Sequence, residues 1–409
     1  MRKILFFTFV LVLLSSCGGR QKKDPSERVP PDSTRIVKVK PNINVYIENS
    51  GSMDGYVKGT TDFEMAVYNY LGDINISGVT DTLNLLYINS DTISFARAAN
   101  ADVIADFIQK LEPSTFKERG GNRGTSDIAD VIKTVLRETR ENDISILVTD
   151  GIFSPGKEKD ATEYLINQEI GIKNTMANHL KKYPNTAVIV YQLSSKFNGT
   201  YYNKIDAKTT LTNEERPYYI WVIGETDNLA ALTREVPTSK FNGSGIKHTF
   251  SIIAGNQKVD YAIKNGSGKF DVPRKGNDNK TIEDLKRDNT GKAKFAVNAD
   301  FSKLLLDDEY LTNAANYEVS NTYDLMVKSR ESKDKYTHSL NFAADKVRNG
   351  TLSVKLKTKL PEWVEEVNDD EGETAVAGKT YGIKYQLKGI YEAFTNKANI
   401  YTEIKINIQ

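Results

Sequence analysis

The run Asn44-Val45-Tyr46-Ile47 is apolar and rich in β-branched residues, and it breaks at once into Glu48-Asn49-Ser50-Gly51-Ser52-Met53. Such a run predicts a buried parallel strand, and the small hydroxyl residues around a glycine predict a tight loop at its end. In open α/β sheets the carboxyl edge of the strands is where ligands bind. Here that edge carries the Glu48 carboxylate and the Ser50 and Ser52 hydroxyls at alternate positions. These are hard oxygen donors, the type a small divalent cation takes. A metal site then requires more oxygen donors from elsewhere in the chain.

The first half of the sequence repeats the strand-and-helix alternation. Phe63, Val67, Tyr70 and Leu71 fall at helical spacing, Leu83–Ile88 and Ile93–Ala96 read as strands, and Val103, Phe107, Ile108 and Leu111 give a helix closed by Pro113. Ile128, Ala129, Ile132, Val135 and Leu136 are helical, Ile144–Val148 is a strand, and a long helix covers about 160–182. Thr186–Leu193 and Tyr218–Ile223 are strands, Asp227–Arg234 is a closing helix, and the polar stretch 194–216 is an excursion or hairpin. The expectation for 41–236 is an α/β domain, a Rossmann-like and mostly parallel sheet with helices on both faces.

Two later loops supply the further donors. Gly120-Gly121-Asn122-Arg123-Gly124-Thr125-Ser126-Asp127 precedes a helix and offers Thr125, and Thr149-Asp150-Gly151 ends a buried strand with a carboxylate. Glu48, Ser50, Ser52, Thr125 and Asp150 are all oxygen ligands, without histidine or cysteine, a set that suits Mg²⁺, Mn²⁺ or Ca²⁺ and argues against zinc or copper.

With those fragments together, the stretch 41–236 resembles a von Willebrand factor type A domain carrying a metal-ion-dependent adhesion site. Glu48-Asn49-Ser50-Gly51-Ser52-Met53 matches the bacterial D-x-S-G-S-M loop with one change, Gly124-Thr125 matches the G-T loop, and Thr149-Asp150-Gly151 matches the T-D-G after the central strand. The departure is Glu48, one methylene longer than the family's aspartate, which either binds the metal directly in place of a water or crowds the site. The resemblance implies that Ser50, Ser52 and Thr125 hold a cation, Mg²⁺ first and Mn²⁺ or Ca²⁺ as alternatives, while Glu48 and Asp150 orient its waters. It also implies a protein partner that offers a carboxylate to the metal, and hence divalent-cation-dependent protein–protein interaction or adhesion. The alternatives are a structural envelope module with a non-functional metal site, and a metal-assisted hydrolase, for which no general base can be named.

Other function classes lose ground. Positive and negative charges nearly cancel, at a net charge of +1, so there is no basic field for nucleic acid. The glycine-rich loop lacks a lysine in P-loop spacing, which argues against a nucleotide. The histidines, His179, His248 and His338, lie in unpromising surroundings, so no catalytic constellation is visible. His179 reads as part of a solvated helix face. Tyr201 and Tyr202 suit either stacking on a ligand or anchoring of their own loop.

At the amino terminus Arg2 and Lys3 precede the apolar run Ile4–Leu14, and Leu14-Ser15-Ser16-Cys17-Gly18 resembles the lipobox of bacterial lipoproteins. Residues 1–17 are then a signal peptide, Cys17 the lipidation site, and 18–40 a disordered tether spanning roughly 25–30 Å as a flexible coil. This implies a bacterial cell-envelope protein, held to the membrane by its lipid, in the outer membrane if the cell is Gram-negative. With a single cysteine, no disulfide can form within the mature chain.

From 237 to 409 the pattern is β-rich, sandwich-like or α+β. Lys247–Ala254, Val259–Ile263, Lys294–Asn298, Tyr317–Lys328, Ser339–Ala343 and Thr351–Thr358 read as strands, and Ile400, Thr402, Ile404, Ile406 and Ile408 alternate with polar residues. Ile383, Leu387, Ile390, Tyr391 and Phe394 predict one helix packed on that sheet despite Gly389. Residues 264–280 and the acidic run Glu365–Glu373 are expected to be loops, and Trp363 a core anchor.

Overall fold

A computed structural model describes residues 39–124, 127–156, 160–241, 243–273, 278–331, 335–395 and 399–409, and Lys40–Gln409 form one compact unit. Cys17, the leader and the tether up to residue 38 lie outside the described residues. Among those described, no helix is long and apolar enough to cross a membrane.

The strands of the first half are β1 (Asn42–Glu48), β2 (Thr82–Ile88), β3 (Thr92–Ala96), β4 (Asp143–Thr149), β5 (Thr186–Tyr202), β6 (Lys208–Glu225) and β7 (Ile246–Ile253). They form one sheet in the order β3-β2-β1-β4-β6-β5-β7. β1 pairs in parallel with β2 and β4, with Val45 opposite both Leu85 and Ile146. The outer pairs are antiparallel, so the sheet is mixed, with its parallel part at the centre. Every residue of β4 is buried, which requires cover on both faces. One helical layer consists of α1 (Asp62–Ser77), α2 (Ala101–Gln109) and α6 (Thr226–Glu235), and the other contains α4 (Ile128–Glu138) and α5 (Ala161–Lys182). The class is α/β with a β-rich C-terminal region, as expected, but the sheet is not mostly parallel: only the β1–β2 and β1–β4 pairings are parallel, because β6 and β7 enter the sheet by chain reversal.

Several local expectations are corrected. Pro113 does not merely close α2; it opens a short helix α3 (Pro113–Glu118), because proline lacks only an amide that a first helical turn leaves unbonded anyway. The stretch Ile246–Ile253, expected in the C-terminal region, joins the first sheet as β7 against β5. His179 is not on a solvated face: it is buried, with Nδ1 2.8 Å from the Leu136 carbonyl and Nε2 3.1 Å from Thr186 Oγ1. Beyond Leu193 the β5 and β6 strands leave the sheet and run on, paired with each other, as a two-stranded arm.

The C-terminal strands are β8 (Tyr261–Ile263), β9 (Lys269–Asp271), β10 (Thr281–Lys286), β11 (Ala293–Ala299), β12 (Tyr317–Val319), β13 (Asp324–Ser329), β14 (His338–Ala344), β15 (Gly350–Lys357), the two-residue β16 (Asn368–Asp369) and β17 (Thr380–Tyr381), and β18 (Ile400–Ile408). They include sheets β12-β15-β18-β10-β9 and β13-β14-β11-β8, whose alternate residues enter a continuous apolar core. The expected strand 317–328 is two strands in different sheets, broken near Asn321, whose backbone is left-handed. The short helices α7 (Asp308–Thr312) and α8 (Trp363–Glu366) and the strands β9, β10 and β16 occupy segments read as loops or left unassigned. Trp363 is partly buried and stacks on His248 with ring centroids 5.0 Å apart.

The helix α9 (Ile383–Thr395) packs on α5 of the first sheet instead of on its own β-strands. Gly389 explains the choice: a Cβ there would sit 2.7 Å from the Glu169 carbonyl, so glycine lets the two helices approach closely. Lys388 to Glu169 at 3.1 Å and Lys173 to Glu392 at 2.8 Å flank the crossing.

Candidate metal centre

The strand order turns in opposite directions on either side of β1 and β4, which makes their carboxyl ends a topological switch point. β1 delivers Glu48 there, 3% exposed. Asn49, fully buried, binds the turn to its neighbours: its Nδ2 donates to the Phe116 carbonyl at 3.4 Å, and its Oδ1 accepts from Asn89 Nδ2 at 3.0 Å. The chain then enters a tight 3₁₀ turn at Gly51–Gly55, in which the Ser50 and Ser52 hydroxyls lie 3.0 Å apart.

The glycine-rich loop is fastened over this turn by Arg123. Its Nε donates to the Asn49 carbonyl at 2.7 Å, and one terminal nitrogen donates to the Ser50 carbonyl at 3.1 Å and to Asp54. The Gly51 amide returns a hydrogen bond to the Arg123 carbonyl at 3.0 Å. Gly124 borders the same cavity, and Thr125, the next residue, lies outside the described residues.

β4 brings the third loop. Thr149 Oγ1 donates to Glu48 Oε2 at 2.5 Å and accepts from the Gly151 amide at 2.9 Å. Gly151 has φ of +67°, and a Cβ there would come 3.1 Å from the Tyr219 ring, so both backbone and space require glycine. Its carbonyl accepts from Gln386 Nε2 of α9 at 2.6 Å, which ties the C-terminal region to the loop.

Asp150 is 1% exposed. Its Oδ1 accepts from the Ile152 amide at 3.1 Å, while its Oδ2 is buried with no hydrogen-bond partner among the described residues. Burial pushes its pKa above the usual carboxylate range, and the nearby Ser52 hydroxyl, the Ile152 amide and the Arg216 guanidinium pull it back. Arg216 is itself buried, lies over the Tyr201 ring at 5.0 Å and donates to the Val376 carbonyl at 2.6 Å.

The structure thus brings together Glu48, Ser50, Ser52 and Asp150, four of the residues named from sequence. Glu48, Ser50 and Ser52 border an open cavity of about 380 Å³. Among the described residues there is no group of three or more histidine, cysteine, aspartate or glutamate side chains suited to a metal. The donors present are instead hydroxyls beside two carboxylates, and a buried carboxylate oxygen without a hydrogen bond is a position that a hard cation satisfies, so the residues fit such an ion.

Several contributors were not anticipated. Arg123 and Asp54 lie within or beside the motifs, but no periodicity marks their pairing. The motif places Thr149 beside Asp150 but does not mark it as the partner of Glu48. The arm contributes Thr200, Tyr202 and Asp206 to the cavity wall, whereas Tyr201 turns inward as an anchor.

No family model matches the sequence, and none of the curated proteins matches it. Among solved structures, the chain is similar to an aerotolerance-related membrane protein from Bacteroides fragilis bearing multiple mutations to serines. The identity is 12%, the match covers 31% of this chain and 61% of that one, and the TM-score of 0.20 marks an overlap too slight to argue from. Fold and site by themselves define an α/β protein with an oxygen-lined cavity at the switch point of its sheet.

Proposed function

We propose that this chain is a bacterial cell-envelope protein, anchored by a lipid on Cys17, that binds a partner protein through a divalent cation. Mg²⁺ is the first choice, with Mn²⁺ or Ca²⁺ as alternatives, and the outer membrane is the proposed location in a Gram-negative cell. The observation that carries the reading is Asp150, buried at the switch point with Oδ2 unpartnered among the described residues, beside the paired hydroxyls of Ser50 and Ser52. A buried acceptor left without a partner costs roughly 1–3 kcal/mol, a cost that a bound cation relieves.

In this reading Ser50 and Ser52, with Thr125 from the neighbouring loop, hold the ion, and Glu48 and Asp150 orient its waters. The cation supplies the positive charge that lets a partner's carboxylate approach an otherwise acidic floor. Thr149 keeps Glu48 in place, and Arg123 clamps the glycine-rich loop to the serine turn. The tether 18–40 keeps the folded part near the membrane.

The test is calorimetric titration of the soluble form with Mg²⁺, Mn²⁺ and Ca²⁺, followed by affinity capture from envelope extract in Mg²⁺ or chelator. Saturable binding by wild type, lost in Ser52→Ala, together with a partner released by chelator, is the expected result. A wild-type protein that takes up none of the three ions refutes the reading.

A further inference from the structure

The helix α1 carries apolar residues on both of its faces. Phe63, Ala66, Val67, Tyr70, Leu71 and Ile74 are buried, as the inner face of an amphipathic helix requires. On the opposite side Met65, Tyr68 and Ile76 are 40%, 45% and 81% exposed. At 3.6 residues per turn these three fall with Gly72 on one outward stripe, roughly 17 Å long, at spacings of three and four residues. A single exposed apolar side chain needs no explanation, but a stripe of them along one helix marks a contact surface.

Gly72 sits in the middle of the stripe. A Cβ there would meet nothing within 4 Å, and its backbone is not left-handed. The packing of the described residues therefore does not ask for glycine at a position where it weakens a helix. At Gly389 a Cβ would strike the Glu169 carbonyl, and that glycine receives a neighbouring helix; Gly72 opens a similar notch between Tyr68 and Ile76. The margins of the stripe are acidic, with Asp62 and Asp73 on one side and Glu64 on the other, and α1 contains no lysine or arginine. Among the described residues none of these three acids makes an ion pair. The cations of adjoining segments are engaged elsewhere: Lys110 with Asp106 of α2, Arg234 with Glu235 of α6, Lys40 with Asp81, and Lys117 of α3 beside Asp54. Lys58 and Arg97 lie outside these helices, and α2 adds Asp102. The Glu64 carboxyl is pushed up to about 7, chiefly by burial and further by Glu112, with only the Thr61 amide pulling it back.

We propose that the outward face of α1 is a docking surface for a basic amphipathic helix of a partner protein. The apolar residues of that helix cover Met65, Tyr68 and Ile76, one of them seats at Gly72, and its lysines or arginines meet Asp62, Glu64 and Asp73. Recognition of an amphipathic helix uses anchors at this three- and four-residue spacing. Charge decides against the other occupants. A helix that lies on a membrane surface carries lysine and arginine beside its apolar face, and α1 has acids there. A second copy of α1, laid in either direction, sets acids against acids, which costs affinity. The surface needs no cation and stands apart from the site at the serine turn.

The probes are two labelled helical peptides with the same leucine stripe, one flanked by lysines and the other by glutamates, titrated against the purified protein in chelator. The lysine peptide is expected to bind wild type about tenfold more tightly than the glutamate peptide. Ile76→Ser and Gly72→Leu are each expected to weaken its binding about tenfold without lowering the melting temperature, because Ile76 is exposed and the space beside Gly72 is open. Equal affinities of the two peptides, no binding of either, or lysine-peptide binding that survives both substitutions overturns the inference. So does a wild-type dimer in light scattering, or adsorption to phosphatidylglycerol vesicles, that Ile76→Ser abolishes, since each gives the stripe a different occupant. Because binding is read in chelator, none of these results bears on the proposed cation site.

Discussion

Asp150→Asn separates a metal ligand from a merely buried acid. Asparagine keeps an oxygen for the Ile152 amide, removes the charge that burial disfavours, and places an amide donor near the Ser52 hydroxyl. Because burial outweighs the Arg216 attraction that the variant gives up, the net relief is roughly 1–2 kcal/mol, toward the lower part of the range for an unsatisfied buried acceptor. Unfolding entropy scales with chain length, so for the unit Lys40–Gln409 that gain raises the melting temperature by roughly 1–3 °C. Wild type, by contrast, gains about 2.7 kcal/mol from an ion at a hundred times its dissociation constant, or about 3 °C. The expected pattern in scanning calorimetry at neutral pH is an inversion: the variant melts above wild type in chelator and fails to respond to Mg²⁺. A variant that melts below wild type in chelator and still shifts with Mg²⁺ would refute the assignment of Asp150 and the argument from its unpartnered oxygen.

Other perturbations probe the frame around the site. Arg216→Met removes the buried cation near Asp150 and is expected to destabilise by about 3 kcal/mol in urea unfolding, much less so in the Asp150→Asn background; equal losses in both backgrounds would deny the coupling. Gly199→Ala puts a methyl group against the Gly55 backbone and should cost roughly 1–3 kcal/mol while exposing the arm to limited proteolysis, so unaltered stability and cleavage would count against the packed wall. Glu64, third residue of α1 in a capping box with Thr61, has its pKa pushed up to about 7, chiefly by burial. Between pH 4.5 and about 7 the folded state holds more protons there than the unfolded one, so stability falls as pH rises through that window, and Glu64→Gln should flatten the fall by roughly 1 kcal/mol once solvent screening is allowed for. Identical pH profiles for wild type and Glu64→Gln would exclude that role.

How far the sequence reveals this molecule depends on which interactions are local. The strand at Asn44–Ile47 and the helix over Ile128–Leu136 carry strong periodicities, and both form. Periodicity names an element but not its neighbour. The antiparallel β6 inserts between β4 and β5, and β7 adds at the edge, because pairing is decided by chain reversal at the arm and not by residue pattern. The arm itself is polar from Glu214 back to Lys208, and its strands form from mutual pairing away from the sheet. α9 displays an apolar face that suits any apolar surface, and the close contact at Gly389 directs it to α5. At the site, the hydroxyl and carboxylate motifs were legible because such donors come in short spaced runs. The Arg123–Asp54 pair and the Arg216 counter-charge were not, since they join residues far apart in the chain whose partnership no spacing encodes.

Glu48 is where the sequence departs from the resemblance, and its surroundings give the extra methylene a use. Glu48 Oε2 accepts from Thr149, the residue before Asp150, and the Gly151 amide donates to that same threonine. The carboxylate of the first loop is thereby joined to the third loop by a hydrogen-bonded relay that needs no ion. An oxygen engaged in that relay is less available to a cation, yet the paired hydroxyls of Ser50 and Ser52 remain on the cavity side, and Asp150 Oδ2 remains without a hydrogen bond among the described residues. In the proposed cation site the longer acid therefore leaves the other donors in place and gives Glu48 a positioning role, holding the first and third loops in register. Binding at such a site depends on how well those loops are fixed before the ligand arrives, and here Arg123, Thr149 and Gln386 fix them from three different parts of the chain.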